Sequence, residues 1–342
     1  MVSAEPPTSD LFGFVWLALL RTTIIRYSHT LLSVPSLATT SEIMLWMTRR
    51  QLLLTATAAG LCSGETRKSA MAVEGYIFQQ YAESLKKPLQ AVVGEVLPMA
   101  RAAGFRNIEL SPAFFPPEGR DRTVSILRSQ GLLMPSLYVG GSVHERDEAD
   151  RTIAAALEFG NLCAPFGCKA IVTNPDPKRG DASKTDAELG VQADSLNRMG
   201  HALAQNGFEL RVHHHTPQLA ENAREWRHIL HHTNPEYVHI CVDVDWVYEG
   251  GFEPIPFLRD VGNRLREIHV RSARNKLWLE DLEDSDIDYG KVAEYLRHQG
   301  LAPLIVVELA YRSNTTVTRP LKEDLRLSRM YAQRIFGIKA DA

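Results

Sequence analysis

The stretch "LRVHHHTPQL", residues 210–219, sets three histidines in a row behind an apolar run. A neutral imidazole can bind a divalent metal ion or act as a general base. If the run before it is a strand, side chains alternate between its faces. His213 and His215 then share one face, and His214 takes the other. What these rings can do depends on what lies opposite them. Five other apolar runs also end in polar residues. "NIEL" brings Glu109, "IVTNPDP" brings Asn174 and Asp176, and "HICVDVDW" brings Asp243 and Asp245. "REIHVR" brings His269 and Arg271, and "IVVELAY" brings Glu308. Each has an ordinary reading by itself: a packed histidine, a capping aspartate, a glutamate paired with arginine. Together they do not, because burying several unpaired charges side by side is costly. A shared divalent cation removes that cost, so a metal site is expected.

The elements that would position these residues follow a rhythm. An amphipathic helix ends at a glycine and a short apolar strand follows, at Gly104, Gly131, Gly167, Gly207 and Gly300. Glycine fits there because helices commonly end on a left-handed residue. In "DAELGVQADSLNRMGHALAQ", Leu189, Ala193, Leu196, Met199 and Leu203 recur at helical spacing. Strands are expected near 74–79, 106–110, 132–138, 169–173, 208–213, 238–243, 265–270 and 303–308. Their continuous apolar character suits burial on both faces. Eight strand–helix units in about 265 residues match a (β/α)8 TIM barrel, whose active sites lie at the C-terminal strand ends. A doubly wound open sheet is the alternative. It would usually carry a Gly-rich phosphate loop, and the sequence has none.

Composition excludes little else. The 342 residues are 44% hydrophobic and 23% charged, with net charge −3. The basic excess of a nucleic-acid binder is missing. Of the four cysteines no two form a CxxC pair, so a cysteine zinc cage is not expected, nor is a Cys163–Cys168 bridge favoured. The N-terminal part differs from the rest. Arg49-Arg50, the apolar run Leu52–Leu61 and the closing Ala70-Met71-Ala72 follow the order of a twin-arginine export signal. Residues 47–72 are therefore expected to be a leader to the periplasm and 73–339 the barrel, with a cytoplasmic protein as the alternative. Residues 1–46 read as a disordered or misassigned upstream extension, with translation starting at Met44 or Met47; an additional anchor is the rival account. Neither this run nor the upstream run Leu11–Leu20 is long enough to span a bilayer of about 30 Å, so the mature chain is expected to have no stable membrane span. Leu61 before Cys62 argues against lipidation.

From residue 73 to 339 the chain resembles the xylose isomerase-like TIM barrels, in particular the sugar phosphate isomerase/epimerase group. "VDVDWVYEGG", "REIHVRS", "DIDYGKV" and "VVELAY" carry the likeness. The resemblance implies one divalent ion (Mn²⁺, Mg²⁺, Co²⁺ or Zn²⁺) held by residues of strands five to eight. Those fall on His213, Asp243, His269 and Glu308. The first departs from the glutamate usual in the group's epimerases, which use their two metal-bound glutamates as the acid–base pair. Here Glu308 can still serve as the base, with His215 or Glu109 as partner. Trp246 stands where the group commonly has a histidine, and would offer an apolar wall to a sugar.

The chemistry this implies is proton abstraction next to a carbonyl through an enediolate, in a sugar isomerase or epimerase. Arg271, Arg274, Asn174 and Tyr138 are the further candidates for binding a small-molecule sugar. The same intermediate can instead expel a β-leaving group, giving a lyase or dehydratase on a keto-sugar or keto-glycoside. A DNA-repair endonuclease on this barrel would need more metal ligands and a basic groove. A sugar-binding barrel without catalysis is the alternative of another class. A homo-oligomer is possible by analogy with the group.

Overall fold

The computed structural model describes residues 69–339. The barrel strands are β1 (Met71–Glu74), β2 (Ile108–Glu109), β3 (Ser136–Tyr138), β4 (Ala170–Thr173), β5 (Glu209–Val212), β6 (Val238–Asp243), β7 (Leu265–Val270) and β8 (Leu304–Val307). All neighbouring pairs are parallel. β1 pairs with both β2 and β8, and the chain of pairings runs from β8 through β7, β6, β5 and β4 to β3. Isolated parallel bridges, Asn107 to Leu133 and Leu110 to Leu137, join β2 to β3 and complete the ring. The (β/α)8 barrel is thus present. The strands are short and almost fully buried, as sheets covered on both faces must be.

Seven strands lie where the apolar runs place them. The first is displaced: the stretch expected as strand 74–79 contains the end of β1 and the start of the helix Tyr76–Ser84. Met71 and Ala72 pair with Ile305 and Val306 inside the sheet. The barrel therefore begins at Met71, two residues before the expected boundary, and takes in the last two residues of the expected leader. Residues 47–68 of that leader and the upstream extension lie outside the described residues. Among the described residues, no helix is long and apolar enough to cross a membrane. Cys163, Cys168 and Cys241 are buried and free.

Helices cover the outside of the ring. Gly131 ends the helix Arg120–Gln130 at φ 61°, a left-handed conformation that would strain any residue with a Cβ. One core fills the space between strands and helices, with Phe78, Phe105, Trp226 and Tyr289 among its largest fully buried side chains. After β7 the chain makes a small antiparallel hairpin, Ala273–Arg274 against Leu277–Trp278. This hairpin sits at the same end of the barrel as the polar strand ends and sends Trp278 back toward them.

Candidate metal centre and active-site cavity

Sheet register decides which strand ends meet. Asp243 lies beside His269, and His269 beside Val306, two residues short of Glu308. On β5, Val212 lies beside Ile240, so His213 follows at the same end. His213, Asp243, His269 and Glu308 each offer one ligand atom, and these atoms all lie within 4.8 Å of one another. All four are buried.

The donor set fits a divalent cation. Two imidazoles and two carboxylates suit Mn²⁺, Co²⁺ or Zn²⁺. Both ring nitrogens of His213 are buried without a hydrogen-bond partner, which is costly unless another group satisfies them. The nearest carboxylate oxygen, Asp243 Oδ2, is 3.8 Å from His213 Nε2, too far for a hydrogen bond. His269 Nδ1 lies 2.6 Å from Glu308 Oε2.

A fixed positive charge also reaches this set. Arg271 Nη2 is 2.5 Å from Asp243 Oδ2 and 2.9 Å from Glu308 Oε1. Burial pushes both carboxyl groups up, but the Arg271 guanidinium and the neighbouring histidines together outweigh it. Asp243 lies well below the usual range and Glu308 is also lowered. Asp245, 3.4 Å from Arg271 Nε, accepts the Trp278 indole N–H at 2.9 Å. Burial dominates there and lifts it to about 7.

A cavity of about 610 Å³ opens over the quartet, within the range of about 300–1,000 Å³ usual for small-molecule sites. His213, His269 and Glu308 line it, whereas Asp243 lies behind them. Tyr138 lines it too, edge-on to the His213 ring at 5.7 Å between centroids. His215 stands between His213 and Trp246, at 4.9 and 5.2 Å. Burial, with His213 beside it, lowers His215 to about 3, so the ring is neutral. Trp246 and Trp278 form an aromatic side, edge to face at 5.4 Å. Arg271 lies over both rings and Arg312 is 3.9 Å above Trp278. His214 faces the helical layer, packed on Trp226 and Phe257.

Three expected site residues are placed elsewhere. Glu109 does not line the cavity. It lies behind His269, with Oε1 3.2 Å from Nε2, in a buried group with Glu267. There Glu267 is held by Arg211 at 2.7 Å and by the Ser136 hydroxyl at 3.2 Å. Burial, then the charge of Glu267, raises Glu109 to about 7. Arg274 sits on the exposed arm of the hairpin and pairs with Glu283 at 3.0 Å. The left-handed turn at Asn275 and Lys276 carries that arm out of the cavity. Asn174 is buried beside β4, its amide donating to the Pro175 carbonyl at 3.4 Å, and also lies outside the lining.

The lining also holds Glu74 and Trp278, neither of which is among the residues expected there. Glu74 closes β1 and follows the pair Val73–Val307, so its neighbour on β8 is Glu308. The signal was present: Glu74 is one more acid at the end of an apolar run. It was hidden because the first strand was placed three residues too late.

Comparison with known proteins fits this geometry. The family model described as "Xylose isomerase-like TIM barrel" matches residues 97–331. The chain belongs to that family. Among curated relatives, an inosose dehydratase from Geobacillus kaustophilus is 25% identical over 175 residues, 48% of this chain and 56% of the relative. The chain thus spans about half the length of this curated relative. Two solved structures share the fold. A sugar phosphate isomerase/epimerase from Parabacteroides distasonis has TM-score 0.59 and 16% identity, covering 81% of this chain and 98% of that one. A 3-keto-D-glucoside 4-epimerase from E. coli has TM-score 0.59 and 14% identity, covering 78% and 100%.

Proposed function

We propose that this family member is a divalent-metal-dependent lyase, a dehydratase acting on a polyhydroxylated ring ketone such as a keto-sugar or keto-glycoside. His213, Asp243, His269 and Glu308 would hold the ion. Bound there, a divalent cation supplies Lewis acidity toward a carbonyl oxygen. Glu308 takes the proton from the carbon next to that carbonyl. Arg271 neutralises Glu308 and Asp243 in the resting site and faces the negative charge that develops on the substrate. Trp246 and Trp278 line the cavity as its apolar side. The buried surroundings keep the reacting carbon away from bulk water.

One observation carries this choice. Of the quartet, Glu308 alone presents a carboxylate to the cavity, and strand five contributes a neutral histidine. An epimerase needs a second group on the opposite face of the substrate to return the proton. An elimination needs one base and a departing group. The curated relative being an inosose dehydratase supports the same reading. The epimerase reading draws on the solved neighbours named as epimerases.

The test is a screen of keto-sugars, keto-glycosides and inososes in D₂O with Mn²⁺, Co²⁺ or Zn²⁺, followed by NMR and mass spectrometry. A dehydratase exchanges the proton next to the carbonyl and releases water or an alcohol. Exchange that returns only an epimer would replace this reading with the epimerase one. Bound metal with no exchange on any ketone would leave a barrel that binds sugar without catalysis.

A further inference from the structure

The quartet accounts for a base but for no group that helps the leaving oxygen depart. Hydroxide and alkoxide are poor leaving groups unless they receive a proton, and a positioned acid is worth about 10²–10⁴-fold in such a step. The donor must face the cavity, carry a proton, and stand on the correct side of the ring relative to Glu308.

The groups lining the cavity narrow the choice. His215 follows β5 and enters from the wall opposite Glu308, held between His213 and Trp246. Arg271 does not give up protons. The Tyr76 and Tyr138 hydroxyls both line the cavity, and both are pushed up by burial and by the carboxylates near them, which makes them weak acids. Glu109 is behind His269 and outside the lining. Glu74 remains. It is 5% exposed, lines the cavity, and is anchored by the Tyr76 backbone N–H, which donates to Oε2 at 2.5 Å.

Register places Glu74 relative to the base. β1 and β8 are neighbouring parallel strands, paired up to Val73–Val307, and Glu74 and Glu308 are the next residues on each. Neighbouring strands lie about 4.8 Å apart. Glu74 and Glu308 therefore approach the cavity from the same wall of the barrel. His213 enters from β5, across the ring. Two groups on one wall reach one face of a bound ring.

We propose that Glu74 is the proton donor to the leaving group, and that the elimination is syn. This rests on the dehydratase reading above. Glu308 takes the proton from the carbon next to the carbonyl, and a carbon–carbon double bond forms. The carbon–oxygen bond at the next carbon breaks, and its electron pair takes the proton of Glu74. Water or an alcohol leaves. Glu74 is left as the carboxylate and Glu308 as the acid, and one proton exchanged through solvent restores both. No oxidant or reductant takes part.

The experiment uses the metal-loaded protein and the ketone that the wild type dehydrates in the screen, together with its analogue bearing fluoride in place of the departing hydroxyl. Fluoride leaves with far less need of a proton. Glu74→Gln is expected to lose about 10²–10⁴-fold in dehydration while still exchanging the proton next to the carbonyl in D₂O. It is expected to eliminate fluoride near the wild-type rate, and Glu74→Asp to recover part of the dehydration. Melting temperature and metal stoichiometry confirm that each variant is folded and loaded. Dehydration unchanged in Glu74→Gln, loss of exchange together with dehydration, or no rescue by fluoride each overturns the assignment. A Glu308→Gln arm separates the two readings: exchange that survives there removes Glu308 as the base, whatever Glu74 does. A wild type that dehydrates no ketone overturns both.

Discussion

Two buried polar groups in this protein differ in one respect that separates structure from site. Lys184, Gln192 and Glu225 join the helices Asp186–Gln205 and Thr216–His232. Lys184 Nζ donates to Gln192 Oε1 at 2.8 Å and to Glu225 Oε1 at 2.7 Å, and Gln192 Nε2 donates to Glu225 Oε1 at 3.0 Å. One ammonium meets one carboxylate, and the amide fills the remaining direction. The quartet at the strand ends does not close in this way. It brings two carboxylates and two imidazoles together, leaves His213 without a partner, and opens on a cavity. A buried cluster that satisfies itself holds elements together. One that stays unsatisfied beside a cavity is built for something that comes and goes.

The sharpest way to break this contrast is to remove one member of each group. His213→Ala or His269→Ala is expected to abolish divalent-metal binding, read by mass spectrometry of the purified protein. Where the ketone substrate is known, activity should fall by about a thousandfold, the worth of several kcal/mol of transition-state stabilisation. Lys184→Met is expected to do the reverse. It leaves Glu225 largely buried and unpaired, which costs about 3–5 kcal/mol of stability, while metal stoichiometry stays at the wild-type value. Metal lost in Lys184→Met but kept in His213→Ala would invert the assignment.

Arg271 tests the contrast within the site. In the metal-free protein it is the cation that Asp243 and Glu308 share. With a divalent ion bound, the same charge opposes the ion. Arg271→Met is therefore expected to lower the melting temperature of the metal-free protein and to tighten metal binding by roughly tenfold or more, from the loss of like-charge repulsion at this range. Calorimetric titration with Mn²⁺ or Zn²⁺ reads the second effect without any substrate. Weaker metal binding in this variant would show that Arg271 orients the ligands and does not compete with the ion.

The quartet was legible in the sequence because its signal is periodic. Apolar runs that end in His, Asp or Glu are conspicuous, and the barrel gathers strand ends whatever the loops do. Side-chain direction beyond a strand end was not legible. Asn174 follows β4 as closely as His213 follows β5, and Arg274 comes four residues after β7, yet the turn geometry after those strands directs both elsewhere. Glu109 shows a different limit. It ends its strand as Glu74 does, but His269 Nε2, 3.2 Å from its Oε1, holds it under the ring beside Glu267. A pairing between β2 and β7 is long-range and leaves no mark in either run. Glu74 is obscured by placement alone, because in the sequence Gly75 reads as lying inside a strand, whereas it is the residue between β1 and its helix.

A third buried acid sharpens the comparison through pH. Asp324, on the helix Leu321–Phe336, accepts from Arg319 Nε at 2.9 Å and from the Tyr311 hydroxyl at 3.0 Å. Burial, only partly offset by these donors, raises it to about 6, against about 3.9 for an unperturbed aspartate. Between about pH 4 and pH 6 the folded chain keeps a proton that the unfolded chain has released. This group's contribution to stability is therefore full below about pH 4 and is lost as pH rises through 6. Denaturant titrations should show stability declining across that window by up to about 3 kcal/mol from this buried residue. Asp324→Asn should flatten that segment of the profile. A slope that persists unchanged in the variant would assign it to another group.

The smallest expected effect concerns the residue on which sequence and structure disagree most simply. Arg274 was expected to grip substrate, and the structure gives it to Glu283 and the Asp284 carbonyl on an exposed hairpin arm. Exposed ion pairs are worth about 0–1 kcal/mol, so Arg274→Ala should leave the melting temperature, metal binding and both kcat and KM close to wild type. Arg271, three residues earlier, should be sensitive in every one of these measurements. The two arginines thus form a paired control on the same stretch of chain, one turned into the barrel and one turned out. A KM raised severalfold in Arg274→Ala with kcat unchanged would mean that the hairpin folds over the cavity when substrate is bound. The boundary between site and surface would then lie beyond Trp278, on the outer arm of the hairpin.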